Sequence, residues 1–248
     1  GGSSASTMLT SVSSPPTSMG CNIGGRVVSQ GLDNGDGSGT AANGQLENGE
    51  IDLVDLIVGS EGIFGLITSV TFRLKVMPDE FLDLFFTLPS EINAVKFHNY
   101  ISNYFKGNLS QITALEYFGY NCQTYMDHKE ELFEDASDVG IYLQIPLYNQ
   151  TVEEIAEDWL DILANSNCGI HEEKILLLNN PRNWRTFFEA RHSIPANALK
   201  KTRQLDTWSI LTDTIVPPEN FQELLDSAHT FLQESEIEYL LFGHLGDC

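Results

Sequence analysis

The chain has 248 residues, 42% of them hydrophobic and 10% aromatic, enough for one large or two modest domains with real cores; two is the preferred reading. Thirty-five acidic residues against thirteen basic ones leave a formal charge of -22, which argues against nucleic acid or anionic lipid as a partner because either would repel such a surface. No run of about eighteen apolar residues occurs, so no transmembrane segment is expected.

Cys21, Cys122, Cys168 and Cys248 are widely spaced and form no C-x-x-C pair. This fits a reducing compartment and neither a zinc ribbon nor a disulfide scaffold. The location expected is the cytoplasm or a membrane periphery, or the mitochondrion in a eukaryote. The opening Gly1-Gly2-Ser3-Ser4-Ala5-Ser6-Thr7 has no initiator methionine, basic n-region or apolar h-region, and Cys248 breaks off a strand-and-glycine pattern. The sequence is therefore expected to be a fragment.

Residues 1 to 50 are rich in Ser, Gly and Asn and read as flexible loop on composition, Gly31 to Gly39 being the least core-forming stretch. Within them Pro15-Pro16-Thr17-Ser18-Met19-Gly20-Cys21-Asn22-Ile23-Gly24-Gly25-Arg26-Val27-Val28-Ser29 stands out as a proline-led turn followed by paired glycines. The strand-like Leu53 to Val58 then runs straight into Gly59-Ser60-Glu61-Gly62-Ile63-Phe64-Gly65-Leu66-Ile67-Thr68. Three glycines among aliphatics suit either a tight turn between two strands or a main chain that must approach a bulky ligand closely.

From residue 80 the periodicity becomes regular. A strand is expected over Phe81 to Leu88, then a helix from about Glu91 to Phe105, capped by Ser90, with Phe97, Ile101, Tyr104 and Phe105 on one face. Strands follow at Ile112 to Tyr117 and Val139 to Leu147, with the acidic run Lys129 to Asp138 between them read as a solvated helix face. Thr151 caps an amphipathic helix carrying Val152, Ile155, Ala156, Trp159 and Leu163, and a strand at Lys174 to Leu178 comes next. Asn180 to Lys201 reads as helix interrupted at Pro195. A strand from Trp208 to Val216, a helix bearing Phe221, Leu224, Leu225, Ala228, Phe231 and Leu232, and a final strand at Tyr239 to Phe242 complete the series. The alternation predicts an α+β, ferredoxin-like antiparallel sheet with helices packed on one face.

Two segments could carry chemistry. His244 lies between glycines at a strand end in Leu241-Phe242-Gly243-His244-Leu245-Gly246-Asp247-Cys248; a lone histidine there is either structural or a reactive group. Arg191, in Glu189-Ala190-Arg191-His192-Ser193-Ile194-Pro195, is either a surface charge, paired with Glu189 for instance, or a fork for a carboxylate. His192 and His171 carry no supporting partners in the sequence.

Gly59 to Thr68 followed by Ser69-Val70-Thr71-Phe72-Arg73-Leu74 resembles the GSEGTLGIIT signature of FAD-linked oxidases of the D-lactate and D-2-hydroxyglutarate dehydrogenase group, with Ile63-Phe64 in place of Thr-Leu. The Pro15 to Ser29 island is similar to that family's pyrophosphate cradle, with Arg26 at the usual Asn position. Leu241 to Cys248 resembles its G-H-x-G-D-G-N-x-H motif, with Cys248 replacing a glycine, and Glu189 to Pro195 and Thr212-Asp213-Thr214-Ile215-Val216-Pro217 resemble two further segments.

The resemblance implies FAD as cofactor, held by Thr17, Ile23, Gly24, Gly25, Glu61, Gly62, Gly65 and Ile67, in a partial PCMH-type domain over residues 1–78. It implies a substrate or cap domain over residues 79–248, with Arg191 on a substrate carboxylate and His244 as catalytic group or as ligand of a divalent metal such as Zn or Mn. The reaction implied is oxidation of a 2-hydroxy acid (D-lactate, glycolate or D-2-hydroxyglutarate class) by hydride transfer to flavin. Electrons would pass on to a quinone, a cytochrome or an electron-transfer flavoprotein. The rival reading is a non-catalytic flavin-oxidase-like subunit that serves assembly or electron-transfer contacts.

Overall fold

The structure is a computed structural model and describes residues 7–13, 27–33, 57, 59–60, 62–67, 74, 76–211 and 214–245. The chain divides into two compact units, Gly1–Lys75 and Val76–Cys248.

In the first unit β1 (Thr7–Ser13) and β2 (Val27–Asp33) form an antiparallel pair, in register from Thr7 opposite Asp33 to Ser13 opposite Val27. Composition alone assigns this region to loop, and that expectation is corrected. β-branched residues recur in both segments (Thr7, Thr10, Val12, Val27, Val28), and pairing satisfies the backbone groups that an isolated Ser-rich stretch would leave to water.

The second unit begins with β3 (Glu80–Leu88), α1 (Glu91–Tyr104) and β4 (Ala114–Phe118), and continues with β5 (Val139–Leu147), α2 (Val152–Asn165) and β6 (Leu176–Leu177). It ends with α3 (Pro181–Gln204), α4 (Phe221–Glu234) and β7 (Phe242–His244). The sheet order is β6-β3-β5-β4-β7 with every neighbouring pair antiparallel. The first four strands in that order are the βαββαβ arrangement expected from the sequence, extended by β7 on the outer side of β4.

Strand alternation divides the core. Leu82, Leu84, Phe86 and Leu88 of β3 point to one face, where α1 contributes Phe97 and Ile101, α2 contributes Trp159 and Leu163, and α4 contributes Phe221 and Leu225. Phe85 of β3, Phe118 of β4 and Tyr142 of β5 point the other way, toward Phe187, Ala190 and Ile194 of α3. Helices therefore cover both faces, which corrects the one-face expectation: α3 follows the βαββαβ unit and seals the surface that unit leaves open.

Local chemistry explains the helix starts. The Ser90 hydroxyl accepts the Asn93 amide, and Thr151 with Glu154 forms a reciprocal capping box. Four further expectations change. α3 runs unbroken through Pro195, because packing of Phe187, Ala190 and Ile194 holds the helix across the missing N–H. No strand forms in the described part of Trp208 to Val216; Trp208 and Ile210 are 92% exposed, since alternation makes a strand only where a neighbour takes up its backbone groups. The acidic run is a short 3-10 turn, Lys129–Glu131, followed by loop, with Leu132, Phe133 and Asp138 buried and the Asp138 carboxylate accepting the Glu134 and Asp135 amides. Tyr104 is half exposed instead of sharing the buried face of Phe97 and Ile101.

Candidate active site

β4 presents Leu115 and Tyr117 to the α1 face and Glu116 to the α3 face. On that second face a row of side chains crosses the sheet in register: Phe85 on β3, Tyr142 on β5, Glu116 on β4 and His244 on β7. α3 lies over the row and lowers Arg191 onto it. Arg191 Nε donates to Glu116 Oε2 at 2.8 Å and Nη2 donates to Oε1 at 2.9 Å, a bidentate fork. His244 Nε2 stands 3.6 Å from the same Oε1. The Glu116 side chain is 12% exposed, Arg191 33% and His244 61%, so the imidazole is the solvent-facing end of the row.

Electrostatics fix the protonation of the interior members. The bond to Glu116 raises the Arg191 guanidinium above its ordinary value, outweighing burial, so it stays charged. Tyr142 Oη donates to Asp83 Oδ1 at 2.6 Å, and Gln144 Nε2 donates to the same oxygen at 2.8 Å. Burial, reinforced by the Asp83 carboxylate, drives the Tyr142 phenol well upward, so it remains a neutral donor. Its ring stacks on Phe187 at 5.1 Å, which ties α3 to the sheet one turn before Arg191.

His244 owes its place to the β4–β7 ladder. The Gly119 amide donates to Leu241 O at 2.9 Å and the Leu245 amide to Leu115 O at 2.7 Å. Beyond the strand end the Asn121 side chain carries the ladder on, donating to Tyr239 O and accepting the Leu241 amide.

The structure thus brings together Arg191 and His244, which are 53 positions apart in sequence, through Glu116, a residue sequence reasoning missed. Its signal lay in the alternation of Ala-Leu-Glu-Tyr-Phe, where a carboxylate occupies an interior strand position that alternation assigns to a packed face. A second polar group also went unread. His229 of α4 lies 2.6 Å from Glu91 Oε2 and 2.5 Å from Tyr239 Oη, and Tyr117 Oη donates to Glu91 Oε1 at 2.5 Å. These partners satisfy one another and tie α4, the start of α1 and the approach to β7 into one clamp.

The family model for FAD linked oxidases, C-terminal domain, matches residues 122–248, just over half of the chain. The chain belongs to this family. No curated protein matches it. Within this FAD-linked oxidase the matched stretch carries α3 with Arg191 and β7 with His244, while Glu116 lies just ahead of it.

Membership implies FAD, and the described part of the glycine motif fits such a group. Gly59, Gly62 and Gly65 have φ of 76°, 82° and 150°, and a Cβ placed on any of them would meet nothing within 4 Å among the described residues. The Ser60 and Ile63 amides close successive turns on Ile57 O and Ser60 O, so the backbone is folded back with its glycine faces open. Phe64, Leu66 and Ile67 beside them are exposed apolar groups. Thr17, Ile23, Gly24, Gly25 and Glu61 lie outside the described residues, as do Thr212 and Asp213.

The divalent metal fits less well. Among the described residues no group of three or more His, Cys, Asp or Glu side chains could hold a metal ion. Among the described residues His244 lies against the Glu116 carboxylate, and both oxygens of that carboxylate already accept from Arg191. Among the described residues no helix is long and apolar enough to cross a membrane.

Proposed function

We propose that this FAD-linked oxidase oxidises a 2-hydroxy acid of the D-lactate, glycolate or D-2-hydroxyglutarate class. The observation that carries the reading is the convergence of Arg191 and His244 on Glu116 at one face of the sheet. A 2-hydroxy acid needs a cation for its carboxylate and an acceptor for its hydroxyl proton as the α-hydrogen departs. Arg191 supplies the first: two of its five N–H groups are committed to Glu116, and the remainder of the fork is offered to the substrate. His244, exposed at the end of the row, takes the hydroxyl proton, and the neighbouring Glu116 carboxylate stabilises the imidazolium that results. FAD, when bound, accepts the hydride; the backbone at Thr17, Ile23, Gly24, Gly25, Glu61, Gly62, Gly65 and Ile67 is assigned to holding it.

The test is stopped-flow reduction of the flavin-loaded protein by D-lactate, glycolate and D-2-hydroxyglutarate. His244→Ala is expected to retain flavin and lose on the order of a hundredfold in reduction rate, the scale of a lost general base. Arg191→Lys, which keeps the charge and loses the fork, is expected to cost about 1.5 to 3 kcal/mol in kcat/KM. Wild-type reduction rates in His244→Ala would remove the chemical basis of the proposal, and a loaded wild-type protein inert to all three acids would favour the non-catalytic reading.

A further inference from the structure

His98 sits mid-way along α1 on the face of the sheet opposite Glu116 and His244, and it is 1% exposed. Its neighbours are apolar: Phe97 and Ile101 lie beside it on α1, and Phe221 of α4 meets its ring edge-on at 6.1 Å. An aliphatic side chain of similar size would suit such a position. The imidazole instead makes one hydrogen bond, from Nε2 to Leu245 O at 3.1 Å, while the buried Nδ1 finds no partner among the described residues. Burial lowers the pKa of His98 and the Leu245 carbonyl opposes it more weakly, so the ring is neutral, with its proton on Nε2. A buried, half-satisfied polar group is a cost in a core, and its single bond goes to the residue next to His244.

Leu245 is held three ways: its amide by Leu115 O, its side chain by the core, and its carbonyl by His98. The first two belong to the ladder and the packing that any strand end has. The third reaches across from α1, a separate element, and fixes the peptide orientation where the chain leaves β7. Strand alternation then aims the preceding side chain, His244, at the opposite face and Glu116.

We infer that His98 is a positioning residue, whose hydrogen bond to the Leu245 carbonyl holds the end of β7 in register and so sets the His244 imidazole against Glu116. The inference rests on the proposed role of His244 for its functional consequence, though not for its structural one. His98→Leu removes the bond and keeps the apolar packing; His98→Gln keeps an N–H donor at nearly the Nε2 position. In the flavin-loaded protein, amide hydrogen exchange at Leu245 and the imidazole NMR resonances of His244 are read alongside flavin reduction. His98→Leu is expected to speed Leu245 exchange tenfold or more, shift the His244 resonances and slow reduction about tenfold with KM little changed, while His98→Gln restores all three. Unchanged exchange and unchanged His244 resonances in His98→Leu would overturn the inference, as would failure of His98→Gln to restore them. A wild-type protein inert to 2-hydroxy acids would overturn the proposed reaction instead and leave the exchange and NMR readouts to decide the role of His98.

Discussion

Glu116 is the residue on which the site turns. Its carboxylate receives the Arg191 fork and faces His244, so one side chain fixes the cation and sets the field at the imidazole. Glu116→Gln keeps the shape but replaces one acceptor oxygen by an N–H group that opposes the guanidinium. The loss of a charge-assisted bond at this partly buried pair is expected to destabilise the protein by about 1.5 to 3 kcal/mol, read as a fall in the urea midpoint at constant m. An unchanged midpoint would mean that solvent screens the pair as it does ordinary surface ion pairs. Arg191 and His244 are legible as candidates through the resemblance of Glu189 to Pro195 and of Leu241 to Cys248 to the family's segments, yet Glu116 is not. A single glutamate in an acidic chain carries no local mark, and only the register of β4 against β7 and the descent of α3 give it a role.

At the scale of elements, the sequence showed most where periodicity and packing agree and least where a strand depends on a distant partner. β5 and the caps of α1 and α2 match expectation because alternation, Ser90 and the Thr151–Glu154 box act locally. β6, expected over Lys174 to Leu178, shrinks to Leu176–Leu177, and the last strand shifts from Tyr239–Phe242 to Phe242–His244, because ladder geometry and not propensity sets where pairing ends. The approach to β7 is also close at Gly119. A Cβ there would lie 2.7 Å from Leu241 O, the carbonyl that the Gly119 amide binds, so this crossing of β4 and the approach to β7 tolerates no side chain. Gly119→Ala is expected to push Leu241 away and cost about 1 to 3 kcal/mol, the range for overpacking, with faster hydrogen exchange from Leu241 to Leu245. Loss of stability without that local change in exchange would place the strain elsewhere.

For the whole molecule, two opposing dependences on pH meet. The net charge of -22 shrinks as the pH falls toward the sequence pI of about 4.4, which relieves self-repulsion and favours the compact state. His98 acts in the other direction. Burial holds its folded-state pKa below the ordinary value of 6.5, so in the window between the two values the unfolded chain binds a proton that the folded protein does not. Stability from this group is therefore full above about pH 6.5 and falls with acidification until the folded-state pKa is passed, at no more than about 1.4 kcal/mol per pH unit for one proton. A single melting curve mixes the two effects, but a comparison separates them, because His98→Gln leaves the acidic surface untouched and removes the titrating ring. The difference in unfolding free energy between wild type and His98→Gln, followed from pH 8 downward, is expected to be flat at first and then to move steadily against the wild type below about pH 6.5. A difference independent of pH across that range would show that His98 titrates alike in the folded and unfolded chain, and hence that α1, α4 and β7 do not seal it from water.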